Sequence, residues 1–438
     1  MNVVDKHNQA TMESVIGSCC SDFTVEYALL VKDKFYVAYY NAEHCITVAS
    51  RKPEESQWTI SQPQGKWLAD KKRYMHQTEF DSHNYLTLAM DNQGHLHLSG
   101  NMHKDQMVWF RSVRPYDIHS LVQRTMIGER EQSATYPLFF YGRQGELLFR
   151  YRDGESGNGD DIYNRWDESQ RRWTRLLAQP LLSGNGLRNA YARLPIFGPD
   201  DQWHMVWMWR ETPHCETNHH LCYACSPDLL HWYSHSGQMF TLPMTSETGD
   251  IVDPAPVEQG LINMSQNLGF DSQGRVLITW HRYDSSGCSQ AWIARPEGDH
   301  WLIRQMSDWN FRWNFKGMGS IPPEVIISAA RPENGQLIVS FQLSDGRSGQ
   351  WHLQEENLAV TETRLLAVNP LPEIFYQCRQ TFSRQGEVQV VPELYRPYPR
   401  HFLRWEALPI HRDLASGQQV LPGQLSVISL ISPHDHKE

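Results

Sequence analysis

One kind of turn recurs along this chain, and its spacing limits what the chain can fold into. Polar turns that launch a period-2 strand stand at DNQGHLHLSG (91–100), GRQGELLFRY (142–151), GPDDQWHMVWMW (198–209), DSQGRVLITW (271–280), ENGQLIVSF (333–341) and SRQGEVQVV (383–391). KDKFYVAYY (32–40) is a weaker first member. Asp, Asn and Gly supply the positive φ that such tight turns need. Successive turns lie 51 to 73 residues apart, so the 438 residues divide into seven units of about 63. An all-β period of that size, with about four short strands per unit, describes a β-propeller blade with generous loops. The expected fold is therefore all-β, a single seven-bladed β-propeller spanning residues 1–438 as one domain. A stack of β-sandwich domains is the competing architecture, but no Pro/Gly/Ser-rich linker divides the chain. Helical signal is confined to short stretches such as 115–124. SPDLLHW (226–232) is a degenerate Ser-x-Asp…Trp turn that lacks its Gly.

Composition removes several function classes. With 40 Lys+Arg against 50 Asp+Glu the net charge is −10, which argues against a nucleic-acid or anionic-membrane surface. No apolar run approaches the ~20 residues that span a bilayer. The start, MNVVDKHNQATMESVIG, has no basic stretch followed by an apolar one. A cytoplasmic location is expected for the chain as written, or a periplasmic or secreted one if the start was processed. The eight cysteines are sparse and show no disulfide framework, so reduced thiols are expected. The aromatic count is high, with 16 Trp, 18 Tyr and 16 Phe beside 21 His. Flat amphipathic rings suit sugar faces, and His is the usual acid/base group near neutral pH.

Three segments carry chemistry. In 80–112, His83 sits in a polar Asp-Ser-His-Asn turn and His103 follows Gly100-Asn101-Met102 at a strand end, while His95 and His97 alternate within the strand between them. A lone His is most simply a hydrogen-bonded structural residue, but a pair on adjacent loops flanking one hairpin points to a site. In 135–167, FRYRDG enters the Gly/Asp-rich loop GESGNGDD, which lets the backbone approach a ligand. It is not a phosphate loop, because it lacks Gly-Lys-Ser/Thr and a following helix. Arg152 is expected to pair with Asp153 or its neighbours, whereas Arg165 is the better candidate to hold a carboxylate in bidentate fashion. In 204–228, Arg210 ends a very aromatic strand, and His214, Cys215, His219, His220, Cys222 and Cys225 follow. Cys-x2-Cys with nearby His is metal-ligand spacing, with Zn²⁺ as the first guess. However, the i, i+3 spacing puts Cys222 and Cys225 on opposite faces of a regular strand.

Taken in order, FDSHN, HLSGNMH, TYPLFF, FRYRDGESGNG, VWMWRETP and NHHLCYACSPD resemble the BNR-repeat propellers that include the ulvan lyases and related lyases cutting rhamnosyl-glucuronate linkages. The resemblance runs from about residue 75 to 320 and includes DWNFRWNFKGMGS (308–320). It implies a seven-bladed propeller and β-elimination at a uronic acid. It places the family's catalytic histidines on His83 and His103, and its tyrosine and arginine on Tyr151 and Arg165, with Tyr163 and Arg152 as close competitors. Asn101, Tyr136, Trp209 and Arg210 are candidate substrate contacts. Some members bind a structural zinc near the Asn-His-x-Leu-Cys-Tyr-Ala motif, which here covers residues 218–224. That makes His219, Cys222 and Cys225 candidate ligands, although His220 and Cys225 depart from the usual residues. No cofactor is implied for the chemistry itself.

The residue types fit such a reaction. Removing the C5 proton of a uronate needs a cation on its carboxylate, a base near neutral pKa and an acid for the leaving O4. Arg165 or Arg210 suits the first role. His103 suits the base, since an ordinary pKa of ~6.5 leaves it mostly neutral at pH 7–8. Tyr151, with an ordinary pKa near ~10, suits the acid, or both base and acid in a syn-elimination. A sialidase-like glycoside hydrolase and a non-catalytic carbohydrate-binding propeller are the rivals. No basic run marks a sulfate subsite, so a non-sulfated rhamnose–glucuronate glycan is at least as good a substrate as ulvan. The expected partner is a uronic-acid-containing oligo- or polysaccharide, and the expected state is a monomer or weak dimer.

Overall fold

The computed structural model describes residues 11–366, 372–380, 382, 386–415 and 420–431. Among these the chain is almost entirely strand and turn, with only single-turn helices such as Ile118–Ser120, inside the segment that carried the weak helical signal. No helix among the described residues is long and apolar enough to cross a membrane.

Among the described residues, the strands form seven antiparallel sheets of four to six strands and one two-stranded ribbon. Ala28–Val31, Phe35–Tyr40, Ile46–Arg51 and Thr59–Ser61 make one sheet in chain order. Leu86–Met90, Leu96–Gly100, Trp109–Ser112 and Leu121–Gln123 make the next in the same way. The first strands of successive sheets touch: Ala28–Val31 packs near Leu86–Met90, which packs near Ala134–Tyr141. One sheet joins the two ends of the chain. Thr11–Cys19 pairs with Gly423–Leu430, with Thr11 opposite Leu430, and His401–Ala407 and Glu387–Pro392 complete it.

The recurrent turns explain this order. Gly94, Gly145, Gly274 and Gly335 all sit at φ between +77° and +82°, and Asp201 takes φ +62° in the corresponding turn. Each reverses the chain just before the second long strand of its sheet, so strands of one sheet pair with near neighbours in sequence. The last turn of the series includes residues 383–385, which lie outside the described residues.

Period-2 strands buried on both faces supply the core. Trp203–Arg210 is buried at every position. Trp203, Met205, Trp207 and Trp209 face one apolar cluster, and Val206 and Met208 face another. Trp207, Trp209, Trp232, Trp280, Trp351 and Trp405 are among the largest fully buried side chains. Most of the tryptophan enrichment is therefore packing between sheets.

Candidate active site

Antiparallel register gathers one set of side chains at one edge of three consecutive sheets. Thr135 lies opposite Arg152, so the start of Ala134–Tyr141 and the end of Leu147–Glu155 share an edge. Asn189 lies opposite Arg210 in the same sense one sheet further on. The short strand His103–Asp105 pairs with the start of Ala134–Tyr141, with His103 opposite Thr135. The loop ahead of Leu86–Met90 brings in Asp81 and His83.

The two histidines meet. Their rings stack with centroids 4.1 Å apart and 24° between planes. Each donates its Nδ1 proton to Asp81, His83 to Oδ1 at 2.7 Å and His103 to Oδ2 at 2.5 Å. The backbone N–H of His83 also donates to Asp81, at 2.9 Å. Asp413 lies 3.5 Å from His83 Nδ1 and holds the same loop by accepting from Ser82. With Nδ1 committed as donor, the Nε2 of a neutral imidazole carries a lone pair, and His103 Nε2 is buried without a partner. Burial, followed by the charge of His83, lowers the His103 pKa against the pull of Asp81. Burial also works against the Asp81 carboxylate, but the hydrogen bonds from His103 and His83 outweigh it and hold its pKa far below the usual range.

Beside the histidines, the Tyr136 ring is 5.7 Å from His83. Tyr136 has φ +58°, an uncommon value for a bulky residue, at a register shift between Thr135 and Leu138. Arg152 lies over its ring, 5.0 Å from the centroid. That guanidinium is 2 % exposed; Nη2 donates to Thr135 Oγ1 at 3.0 Å, while Nε and Nη1 have no partner. A buried guanidinium without a carboxylate is costly, which makes its free donors an anion-seeking feature. The expected pairing with Asp153 is not made: Asp153 accepts from Arg130 instead.

Tyr191 continues the cluster, 6.1 Å from Tyr136. Arg210 lies 4.1 Å over the Tyr191 ring, donates to its hydroxyl at 3.0 Å, and donates further to Asn218 at 3.0 Å and to Asn263. Burial pushes the Tyr136 phenol up, and the Tyr191 charge adds to it. At Tyr191 burial is outweighed by Arg210 and Arg152, which hold its pKa below the ordinary phenol value.

Several expected residues are placed elsewhere. Tyr151 is fully buried and faces away from Arg152 because adjacent strand residues alternate. Its hydroxyl donates to Arg130 O at 2.9 Å and accepts from Arg175 at 3.1 Å, and burial pushes its pKa up to about 12. Arg165 is exposed in Asn158–Asp167, between Leu148 and Thr174 of the flanking strands. Tyr163 is buried in the apolar cluster that also holds Trp209, so neither ring is open to a sugar. The Asn101 amide donates to Met75 O and Gln77 O, both at 2.8 Å, and so ties down a neighbouring loop. His97 is enclosed by Trp109, Phe139, Trp166 and Trp173, and burial lowers its pKa to about 4. His95 bonds to Ser112 O. Sequence reasoning missed Asp81 as the shared acceptor and Tyr191 altogether. Tyr191 carries no motif, and only the sheet order brings it alongside Tyr136.

The zinc ligands are not assembled. Cys222 packs in the cluster with Trp207 and Trp209, whereas Cys225 packs against the cluster on the other face of its strand. Burial pushes both thiols up, away from the thiolate form that binds metal. His219 instead contacts Glu211 and His220. Among the described residues, the groups close enough to hold an ion are Cys20/Asp22/His44 and Asp81/His83/His103. In the second, Nδ1 of each ring lies within hydrogen-bond distance of Asp81.

Comparison with known proteins sets this edge in context. A structure described as polysaccharide lyase Uly1 is similar over 98% of this chain and 96% of its own, at 12% identity and TM-score 0.60. Structures of an ulvan lyase of polysaccharide lyase family PL25, one bound to -[GlcA(1-4)Rha3S]-, are similar over 99% and 98%, at 14% identity and TM-score 0.57. At such identities the likeness is one of fold. No curated protein matches the chain. Residues 34–309, well over half of the chain, match the sequence model described as BNR repeat-containing family member, so the chain belongs to the BNR repeat-containing family.

Proposed function

We propose that the protein is a polysaccharide lyase that cleaves a rhamnose–uronate linkage by β-elimination, on a single-domain propeller in which the seven sheets are the blades. The observation that carries this is the grouping at one sheet edge of an unpaired buried guanidinium (Arg152), a protonated phenol (Tyr136) and an imidazole with a free Nε2 (His103). The fold likeness to ulvan lyases supports it, and one of those structures holds a glucuronate–rhamnose unit.

Opposite pKa displacements assign the roles. Arg152 takes the uronate carboxylate through its free Nε and Nη1, and Arg210 with Tyr191 extends the positive edge. The carboxylate then acidifies C5–H because charge that develops on the enolate-like intermediate is already compensated. His103 Nε2, neutral and unpartnered, accepts the C5 proton. The C5 electron pair forms the C4=C5 double bond, the C4–O4 bond breaks, and Tyr136 gives its proton to the departing O4. His83 stacks on His103 and, with Asp81, fixes its tautomer. A glycoside hydrolase would need a protonated carboxylic acid here. Asp81, the carboxylate bonded to both histidines, is held ionised by them.

Incubation with rhamnose–glucuronate glycans, sulfated and unsulfated, tests the reading. The expected result is an unsaturated uronate, seen by ultraviolet absorbance and by a product mass lacking added water. Products carrying one added water, with no new absorbance, would establish hydrolysis instead.

A further inference from the structure

The loop between Thr59–Ser61 and Leu86–Met90 carries the two-stranded ribbon, Trp67–Leu68 paired with Arg73–Tyr74. Its aromatic residues are turned outward: Trp67 is 53 % exposed and Tyr74 45 %, their centroids 5.0 Å apart at 70°. Few large rings in this molecule are as open, because most tryptophan is buried between sheets. The ribbon also carries Lys66, Lys71, Lys72 and Arg73 against Asp70, in a chain of net charge −10. Lys71 and Arg73 converge on Asp105, next to His103, which anchors the ribbon to the active-site edge. Lys66 and Lys72 are exposed and in no ion pair among the described residues. Asn101 clamps the base of the same loop through Met75 and Gln77. Alongside runs a groove of about 420 Å³ whose lining includes Gln62, Gln64, Lys66, His119 and Gln123. These are hydrogen-bonding groups with no carboxylate among them.

We propose that this ribbon and groove form an outlying subsite for the acidic glycan chain. Trp67 and Tyr74 stack on sugar faces, Lys66 and Lys72 meet carboxylate or sulfate groups, and the exposed amides of Gln62 and Gln64 bond hydroxyls. The anchor at Asp105 leads the bound chain towards His103. This deepens the uronate reading of the active site and rests on it. The short run Lys71-Lys72-Arg73 takes on this role only because the fold sets Lys66 and Trp67 beside it.

The test is gel retardation of the full-length protein in ulvan, a rhamnose–glucuronate sulfate polymer, with neutral dextran as control. Retardation in ulvan and not in dextran is expected, weakened about tenfold or more in a Trp67→Ala/Tyr74→Ala double variant, as truncated aromatic anchors commonly show. A Lys66→Ala/Lys72→Ala variant should bind with a shallower salt dependence. The double aromatic variant should release product from the shortest cleavable oligosaccharide at the wild-type rate, so loss of the subsite is told apart from loss of lyase chemistry. Equal retardation of wild type and the aromatic variant, equal retardation in dextran, or none in either gel would overturn the subsite. Each leaves the turnover assay to judge the active site independently.

Discussion

The imidazoles of His83 and His103 stack 4.1 Å apart and both give their Nδ1 proton to one carboxylate, Asp81. A single acceptor thereby fixes two tautomers and leaves two Nε2 atoms for substrate. This arrangement needs residues 81, 83 and 103 on adjoining loops, which is what the hairpin Leu86–Gly100 provides.

Removing either half of that device should be costly. His103→Ala is expected to lower kcat by ~10²–10⁴, the usual worth of general base help. Asp81→Asn should lower it by at least about tenfold while the protein still folds, because the amide can present N–H to the rings and favour the wrong tautomer. Steady-state rates together with circular dichroism check both. An Asp81→Asn enzyme of wild-type kcat would remove Asp81 from the mechanism.

The two arginines should separate cleanly. Arg152→Ala deletes the cation over the Tyr136 ring, with its free Nε and Nη1, and should reduce kcat/KM at least as severely as His103→Ala. Arg165→Ala alters an exposed side chain and should stay within about twofold, since such surface changes rarely exceed ~0.5 kcal/mol. Kinetics on a common substrate distinguish them.

Tyr151→Phe tests a structural role. Its hydroxyl bonds to Arg130 O and Arg175, so its loss should cost about 0.5–1.5 kcal/mol of stability and little turnover. Denaturant titration beside an activity assay reads both quantities.

The pH profile follows from two displaced groups. The base must be neutral, and burial lowers the His103 pKa, so kcat/KM should fall only as pH drops below the ordinary imidazole value of ~6.5. The acid must be protonated, and burial raises the Tyr136 pKa, so the alkaline limb should lie above ~10. A broad plateau between these limbs is expected. An acid limb above ~6.5 would contradict a neutral, buried His103 as base.

Much of this was legible in the chain. The turns at Gly94, Gly145, Gly274 and Gly335 announced short antiparallel strands, because only a residue tolerant of positive φ closes such turns. His83 and His103 could be paired because one hairpin separates them. Tyr151 and Arg152 show where reading failed: in a strand, one residue decides the face, and the motif FRYRDG does not state which parity points to the edge. Arg165 sat in a promising motif but on an exposed position. Cys222 and Cys225 had metal spacing for a turn, whereas residues 222–225 run as extended strand whose faces alternate. Tyr191 and Asp413 are brought in by neighbouring sheets and by a contact between residues hundreds apart, which no local pattern records.

The most direct measurement is the ultraviolet absorbance released from a rhamnose–glucuronate glycan by wild type, Tyr136→Phe and Tyr151→Phe under identical conditions. The account predicts absorbance from wild type and Tyr151→Phe and at least about a hundredfold slower release from Tyr136→Phe. Full activity in Tyr136→Phe would contradict it, as would silence from Tyr151→Phe with its fold intact.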